Sequence, residues 1–403
     1  MSNPRTLPRD PDLDQLKTQA RELLKAFRAD DAEAIAAFAV HPRAIDPTAA
    51  KLTDAQLVIA RRYGFSSWPV LRREVNRRRL RAAIWRGRKS SVAEILKQDG
   101  GIVNDAVAHP RWGGRPTPIQ LAAERGRADV IRLLLENGAD PDCGAASYGG
   151  WKALHLAAHW GHMEAVAALR EYSATVDIHA ACLMDDVRRV SAILAEDPDA
   201  ALRPALGGEP PLHVAVTVEC AGLLLEHGAE LNTLDSEGNT PVGSAIARGD
   251  RCRRLAEYLI DRGAPADPCQ LAALGRTDQL SRLFQTDAGI LDFEGKIGAH
   301  AVEGTPLHAA VQHGEADTVR ALLDWGSDAN ARADSGQRPL HLCGDPGIAA
   351  MLVEAGADPG ATDDEHDTTP LVWARVGIEI HGPSPAREAL VSYLEGITPS
   401  QKD

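Results

Sequence analysis

The sequence predicts an all-α solenoid of about nine to ten helix-turn-helix units behind an N-terminal helical cap. Three observations carry this. A Pro-led phrase recurs at a near-constant period, and a Leu-rich phrase ending in Gly follows its copies. The composition is also poor in large rings and rich in chain-turning residues: Phe, Tyr and Trp number 5, 5 and 7 in 403 residues, against 35 Gly and 25 Pro. Length alone would suggest two or three globules. Thin layers stacked in series fit the composition better than one large jigsaw core.

Residues 1–79 lack the repeat and are expected to form the helical module. Leu13, Leu16, Ala20, Leu23, Leu24 and Phe27 fall at helical spacing, followed by Ile35 and Phe38 beyond Asp30-Asp31. Thr53-Asp54-Ala55-Gln56 matches a capping box that would open a helix ended by Gly64. Ser67-Trp68-Pro69 starts the next, through Leu71 and Val75.

Residues 80–396 form the expected repeat domain, with 397–403 as a tail. Thr117-Pro118-Ile119-Gln120-Leu121-Ala122-Ala123 returns at Ala153, Pro211, Pro241, Pro306, Pro339 and Pro370, most sharply as Thr305-Pro306-Leu307-His308-Ala309-Ala310. The steps are 35, 58, 30, 65, 33 and 31 residues, so the two double-length gaps should each hide a degenerate copy, at Ala180-Ala181 and Ala272-Ala273. Leu133-Leu134-Leu135-Glu136-Asn137-Gly138 and Leu223-Leu224-Leu225-Glu226-His227-Gly228 are the clearest second phrases. Pro at a first helical position has its φ preset where no N–H partner is needed. The preceding Thr can cap, and His three residues on can bond across the same turn. Paired Ala lets neighbouring helices approach, the Leu triplet supplies an apolar face, and Gly closes the second helix in the left-handed conformation.

This pattern resembles the ankyrin repeat, whose period and T-P-L-H-x-A phrase it shares. The phrase from Asp54 through Tyr63-Gly64-Phe65 to Trp68 resembles an N-terminal helical module of some bacterial ankyrin proteins, a likeness that brings no activity with it. In the family the tips of the turns and the exposed first-helix positions form a concave binding face, and the TPLH histidine is structural. The resemblance therefore implies discounting His155, His213, His308 and His341 as catalytic or ligand groups.

Charge is uneven. Residues 1–100 hold 20 Lys and Arg against 12 Asp and Glu, a net of +8, which leaves −21 for the rest within an overall −13. The excess concentrates at Arg61–Lys89, opposed only by Glu74. Such a run reads either as an anion site or as a solvated helix face balanced by the acidic repeats. The second reading is preferred and nucleic acid is not expected as a partner, because an acidic molecule gains little long-range attraction to phosphate.

No apolar stretch approaches the roughly 20 residues of a membrane span, and the polar start of the chain lacks the apolar core of a secretory leader. The six cysteines, Cys143, Cys182, Cys220, Cys252, Cys269 and Cys343, are scattered with no C-x-x-C pair. That favours reduced thiols, a cytoplasmic location and neither a disulfide frame nor a zinc site.

Candidate chemistry is sparse. His159 and His162 stand at i, i+3, and Asp363-Asp364-Glu365-His366-Asp367 is dense in ligand types, but each reads first as turn or surface wording. P-loop, dinucleotide-binding, H-E-x-x-H and nucleophile-elbow phrases are absent, and neither a cofactor, a metal nor a catalytic residue is expected. The more telling features are aromatic turns: His109-Pro110-Arg111-Trp112-Gly113-Gly114 and Tyr148-Gly149-Gly150-Trp151, with Trp160 nearby. Trp, Tyr and Arg are enriched at binding hot spots, although Trp112 and Trp151 would equally serve to stiffen adjacent turns.

The leading expectation is a monomeric interaction scaffold that grips a protein partner at Trp112, Tyr148, Trp151, His159 and Trp160, with Glu124, Arg125, Gln312 and His313 at matching positions. The alternative is an enzyme or small-ligand or metal binder using His109, His159, His313, Asp363 and His366, which requires at least two of them to converge in a pocket.

Overall fold

The computed structural model describes residues 5–8, 11–41, 43–144, 148–205, 207–296 and 303–398. Most of the expected tail, residues 399–403, lies outside them. The chain divides into two compact units, residues 1–184 with 205–207, and residues 185–204 with 208–403.

The first unit opens with α1 (Leu13–Arg28), where Asp12 Oδ1 accepts from Asp14 N at 2.7 Å, and α2 (Ala32–Phe38), capped by Asp31. The α1 stripe of Leu13, Leu16, Ala20 and Phe27 is buried, and the Phe27 and Phe38 rings stack at 3.7 Å. α3 (Leu52–Arg62) starts earlier than the Thr53–Gln56 box suggests. Its N-cap is Lys51, whose N–H donates to Asp54 Oδ2 at 2.7 Å. The carboxylate half of a capping box is thus in place while the lysine offers no acceptor in return. Gly64 follows at φ 82°, and α4 (Trp68–Trp85), with Pro69 in its first turn, runs unbroken through residues 79 and 80. α5 (Lys89–Gln98) completes a pair with it.

The repeats follow as short Pro-led helices paired with longer Leu-rich ones. In the first unit these are α6 (Pro118–Glu124), α7 (Ala128–Glu136), α8 (Ala153–His159), α9 (Met163–Glu171) and α10 (Ile178–Leu183). The second unit holds α11 (Val187–Glu196), α12 (Pro211–Val214), α13 (Val218–Glu226), α14 (Pro241–Ala247), α15 (Arg253–Asp261), α16 (Pro268–Ala273) and α17 (Thr277–Thr286). It continues with α18 (Pro306–Gln312), α19 (Ala316–Asp324), a 3₁₀ turn at Pro339–Leu342, α20 (Pro346–Glu354), α21 (Pro370–His381) and α22 (Pro385–Ile397). Both hidden copies exist: α10 is capped by Asp177 and α16 by Asp267. Helices this short do not persist alone in water, so stacking is what holds them. The Leu-rich helices end as expected, with Gly138 at φ 86° and Gly228 at 90°. Ser173 takes the same left-handed place after α9, at 62°. The only described strands are Gly295–Lys296 and Glu303–Gly304, an antiparallel pair.

A side-chain strap joins successive repeats within each unit. In the TPLH phrase, His308 Nδ1 accepts Thr305 N–H at 3.1 Å, which leaves Nε2–H to donate to Gln337 O at 3.2 Å, just before the next Pro-led turn. His341 repeats this with Arg338 N and Thr368 O, both at 3.1 Å. Gln120 performs the same task without a ring: Oε1 accepts Thr117 N–H at 2.9 Å and Nε2 donates to Trp151 O at 2.6 Å. Where Thr precedes the Pro it caps as expected at Thr117 and Thr240, whereas the Thr305 hydroxyl meets His308 Nδ1 at 2.9 Å. A second strap uses Asn: Asn330 Nδ2 donates to Gly356 O at 2.8 Å and its Oδ1 accepts Asp358 N–H at 2.9 Å.

Burial pushes His308 down from 6.5 to about 4, and moves His213 and His341 in the same direction. Between those two pH values the unfolded chain binds more protons than the folded one. The contribution is therefore full above the unfolded value of 6.5 and is lost as pH falls toward about 4. For His308 it amounts to about 3 kcal/mol. Urea unfolding of His308→Gln at a series of pH values is expected to preserve stability at neutral pH within about 1 kcal/mol while flattening the acid dependence. An unchanged acid slope would contradict the strap.

A candidate partner-binding surface

The first aromatic turn is a narrow finger. Val107 N–H donates to Pro116 O and His109 N–H to Gly114 O, each at 2.8 Å, so that residues 110–113 form its tip. His109 anchors it. Its Nδ1 accepts Arg111 N–H at 3.1 Å and Trp112 N–H at 3.4 Å, leaving Nε2–H to donate to Glu124 Oε2 at 3.0 Å. Glu124, at the end of α6, also accepts the Tyr148 hydroxyl at 2.5 Å. One carboxylate thus ties two successive fingers together. Burial and the charge of Glu124 push the Tyr148 phenol above its usual range, so it remains a donor.

Rings continue the contact. Trp85, the last residue of α4, meets His109 edge-on at 5.2 Å; His109 stacks on Trp112 at 4.7 Å; Trp112 meets Tyr148 edge-on at 5.3 Å. The Arg125 guanidinium lies over Trp85 at 4.5 Å and that of Arg111 at 5.6 Å. The Trp112 ring covers Gly114 so closely that a Cβ there would sit 1.6 Å from it, which explains a glycine with no unusual backbone demand. On the next repeat, Trp151 lies against His159 at 5.2 Å and His155 at 6.1 Å, and His159 meets Trp160 at 5.1 Å. Despite these contacts Trp112 is 42% and Trp160 57% exposed. The stiffening and display readings of Trp112 are therefore both satisfied by one geometry.

Seven of the residues singled out from sequence lie in these two ring groups of the first unit. Gln312 and His313 close α18 in the other unit, the first exposed and the second half-buried. Trp85 was not singled out: it sits inside an arginine run, where its only mark is a large ring at a helix end. The five groups of the catalytic alternative fare differently. The His109 side chain is 1% exposed and committed at both nitrogens. Asp363 and His366 do approach, at 3.7 Å, but Asp363 is wholly buried rather than part of a solvated acidic turn. It accepts from the backbone of Glu365, His366 and Thr368, the Thr368 hydroxyl and Trp373 Nε1, which together hold its carboxyl below the usual range. His162, the partner of His159 in the i, i+3 pair, turns to Glu124 O at 3.1 Å. Among the described residues no three His, Cys, Asp or Glu groups converge as a metal site, and no helix is long and apolar enough to cross a membrane. None of the six cysteines is joined in a disulfide, and five of them are buried.

The stacked, strapped helix pairs and their displayed fingers define an ankyrin-repeat solenoid. Family models described as ankyrin repeats match residues 80–182 and 269–363 (three copies) and residues 218–260 (many copies), and the chain belongs to this family. It is similar to "Ankyrin repeat and SOCS box protein 16" of Homo sapiens, 36% identical over 113 residues, covering 27% of this chain and 23% of that one. It is also similar to "Ankyrin repeat domain-containing protein SAT10" of Stachybotrys chartarum, 27% identical over 297 residues, 68% of this chain and 15% of that one. "Protein phosphatase 1 regulatory subunit 27" of Homo sapiens is 42% identical over 64 residues, 15% of this chain and 42% of that one. The matched stretches thus span less than half the length of each of these relatives.

Glu124→Ala should leave the buried His109 Nε2–H without its acceptor and cost about 1–3 kcal/mol. Hydrogen exchange should quicken across residues 107–116 first. Unchanged protection of that finger would show that Glu124 does not anchor it.

Proposed function

We propose that the chain is a cytoplasmic, monomeric scaffold that holds a protein partner on the aromatic surface of Trp112, Tyr148, Trp151, His159 and Trp160, flanked by Glu124 and Arg125. Gln312 and His313 occupy matching positions further along the repeats. The observation that carries this is the exposure of two indoles, Trp112 at 42% above a hydrogen-bonded base and Trp160 at 57% against His159. Exposed indole surface is unfavourable in water and gains on being covered, at roughly 25 cal/mol per Å². Fixed rings also lose little freedom when a partner arrives. Met163, three residues after Trp160, is a further exposed apolar side chain at 58%.

The family and the regulatory-subunit name of one relative support an interaction role. Cysteines outside any disulfide, most of them buried, suit a reducing compartment. The reading calls for no cofactor and no metal. The sealed ring of His109 and the buried carboxylate of Asp363 count against the catalytic alternative, since neither is open to a substrate.

Affinity capture from the native host, with retained proteins identified, tests this directly. Trp151→Ala with Trp160→Ala should abolish retention of the main partner, whereas Leu234→Ala, at a 61% exposed apolar residue elsewhere, should retain it. Full retention by the Trp double variant would sink the proposed surface.

A further inference from the structure

Two arginines of the aromatic surface differ from those around them. Arg111 stands at the tip of the first finger and Arg125 directly after α6, and both are exposed. Their guanidinium groups lie over one ring, Trp85, at 5.6 and 4.5 Å from its centre. The two charges are therefore no farther apart than the sum of those distances, and the shared indole holds them there. Among the described residues neither guanidinium stands in an ion pair or donates a hydrogen bond. The neighbouring arginines are committed. Arg73 and Arg77 meet Asp105, Arg77 and Arg78 meet Glu74, and Arg115 donates to Ala106 O. Arg81 and Arg86 are engaged as well.

The carboxylate of this group, Glu124, is occupied. Its side chain is 16% exposed, Oε1 and Oε2 both accept His109 Nε2–H, at 3.3 and 3.0 Å, and Oε2 also accepts the Tyr148 hydroxyl. The surface thus presents two cations with open N–H donors near the 42% exposed Trp112, which stacks on the same His109 that Trp85 meets edge-on. The wider field has the same sign. Residues 1–184, which carry this surface, hold 27 Lys and Arg against 21 Asp and Glu, within a chain of net charge −13. An approaching anion is therefore steered toward this unit and away from the other.

We propose that the protein partner presents an acidic segment here: two carboxylates that engage Arg111 and Arg125, next to an apolar side chain that covers Trp112. This rests on the partner-binding reading above and adds the partner's chemistry to it. The planar fork of Arg takes a carboxylate in a pair of hydrogen bonds. Carboxylates at alternate positions of an extended segment, roughly 7 Å apart, suit two cations that share one ring. A basic segment would meet like charges, and a neutral one would strip water from both forks without supplying an acceptor.

Selection of random short peptides displayed on phage against the full chain tests this. Enriched peptides are expected to carry two or more Asp or Glu residues flanking an apolar one. A labelled synthetic copy should bind about tenfold more weakly to Arg111→Gln with Arg125→Gln, and its affinity for the parent chain should fall as salt rises. Arg21→Gln with Arg72→Gln, which removes equal charge from exposed positions on α1 and at the start of α4, should leave the affinity unchanged. Should circular dichroism show the first double variant unfolded, Arg111→Gln alone, at the finger tip, must still weaken binding. The proposal is overturned by a selection that enriches no peptide, by enriched peptides without acidic residues, or by equal weakening in the off-surface variant. Where non-acidic peptides are enriched and lose binding in Trp112→Ala with Trp160→Ala, the surface stands and only its acidic chemistry falls. Enriched peptides indifferent to that indole double variant would remove the surface itself.

Discussion

The fold rests on one hydrogen-bonded strap, made by the residue in the third helical position of the Pro-led turns that begin at Pro118, Pro306 and Pro339. That side chain accepts the N-cap N–H of its own helix and donates to the loop of the next. In His308 and His341 the two ring nitrogens share the work, and in Gln120 the amide oxygen and nitrogen do. The requirement is for one acceptor and one donor on opposite edges of a short, planar group. Neutral imidazole and a primary amide meet it, and imidazolium does not. Because these helices are only four to seven residues long at α12 and α18, for example, local propensity cannot hold them. The strap sets the spacing at which small residues such as Ala309 and Ala310 can bury completely.

The same geometry places the candidate surface. α4 ends at Trp85 and the finger at 107–116 returns across it, so one helix supplies the ring beneath His109 and, about one to two turns earlier, the arginines that face the base of that finger. Glu124 then links that finger to the next through Tyr148. Display of Trp112 is consequently a property of two repeats and the helix before them, not of a loop alone. Preorganisation of this kind is what lets exposed aromatic groups contribute to recognition without a large ordering cost.

Much of this was legible in the sequence because repetition multiplies weak signals. A single Thr-Pro-Leu-His says little, whereas steps near a common period exposed even the copies at α10 and α16, whose Pro-led phrase is degraded. Gly138 and Gly228 were readable because only a left-handed turn explains them, and Ser173 shows where the rule bends. What stayed hidden depended on approach between distant segments. Lys51 replaces the expected cap at Thr53 because the flanking chain, not the box, decides where α3 begins. Asp363 reads as one of five solvated ligand types until Thr368 and Trp373 are seen to close over it. Trp85 shares this cause: a run of positive charge suggests solvent until a finger is known to cross it.

The central claim concerns protonation and tautomer of the strap, which long-range ¹H–¹⁵N correlation spectra of the histidine rings at mildly acidic pH read directly. The account requires His213, His308 and His341 to be neutral with the proton on Nε2. Rings in the Nδ1–H tautomer, or imidazolium at those three positions in the folded protein, would contradict it.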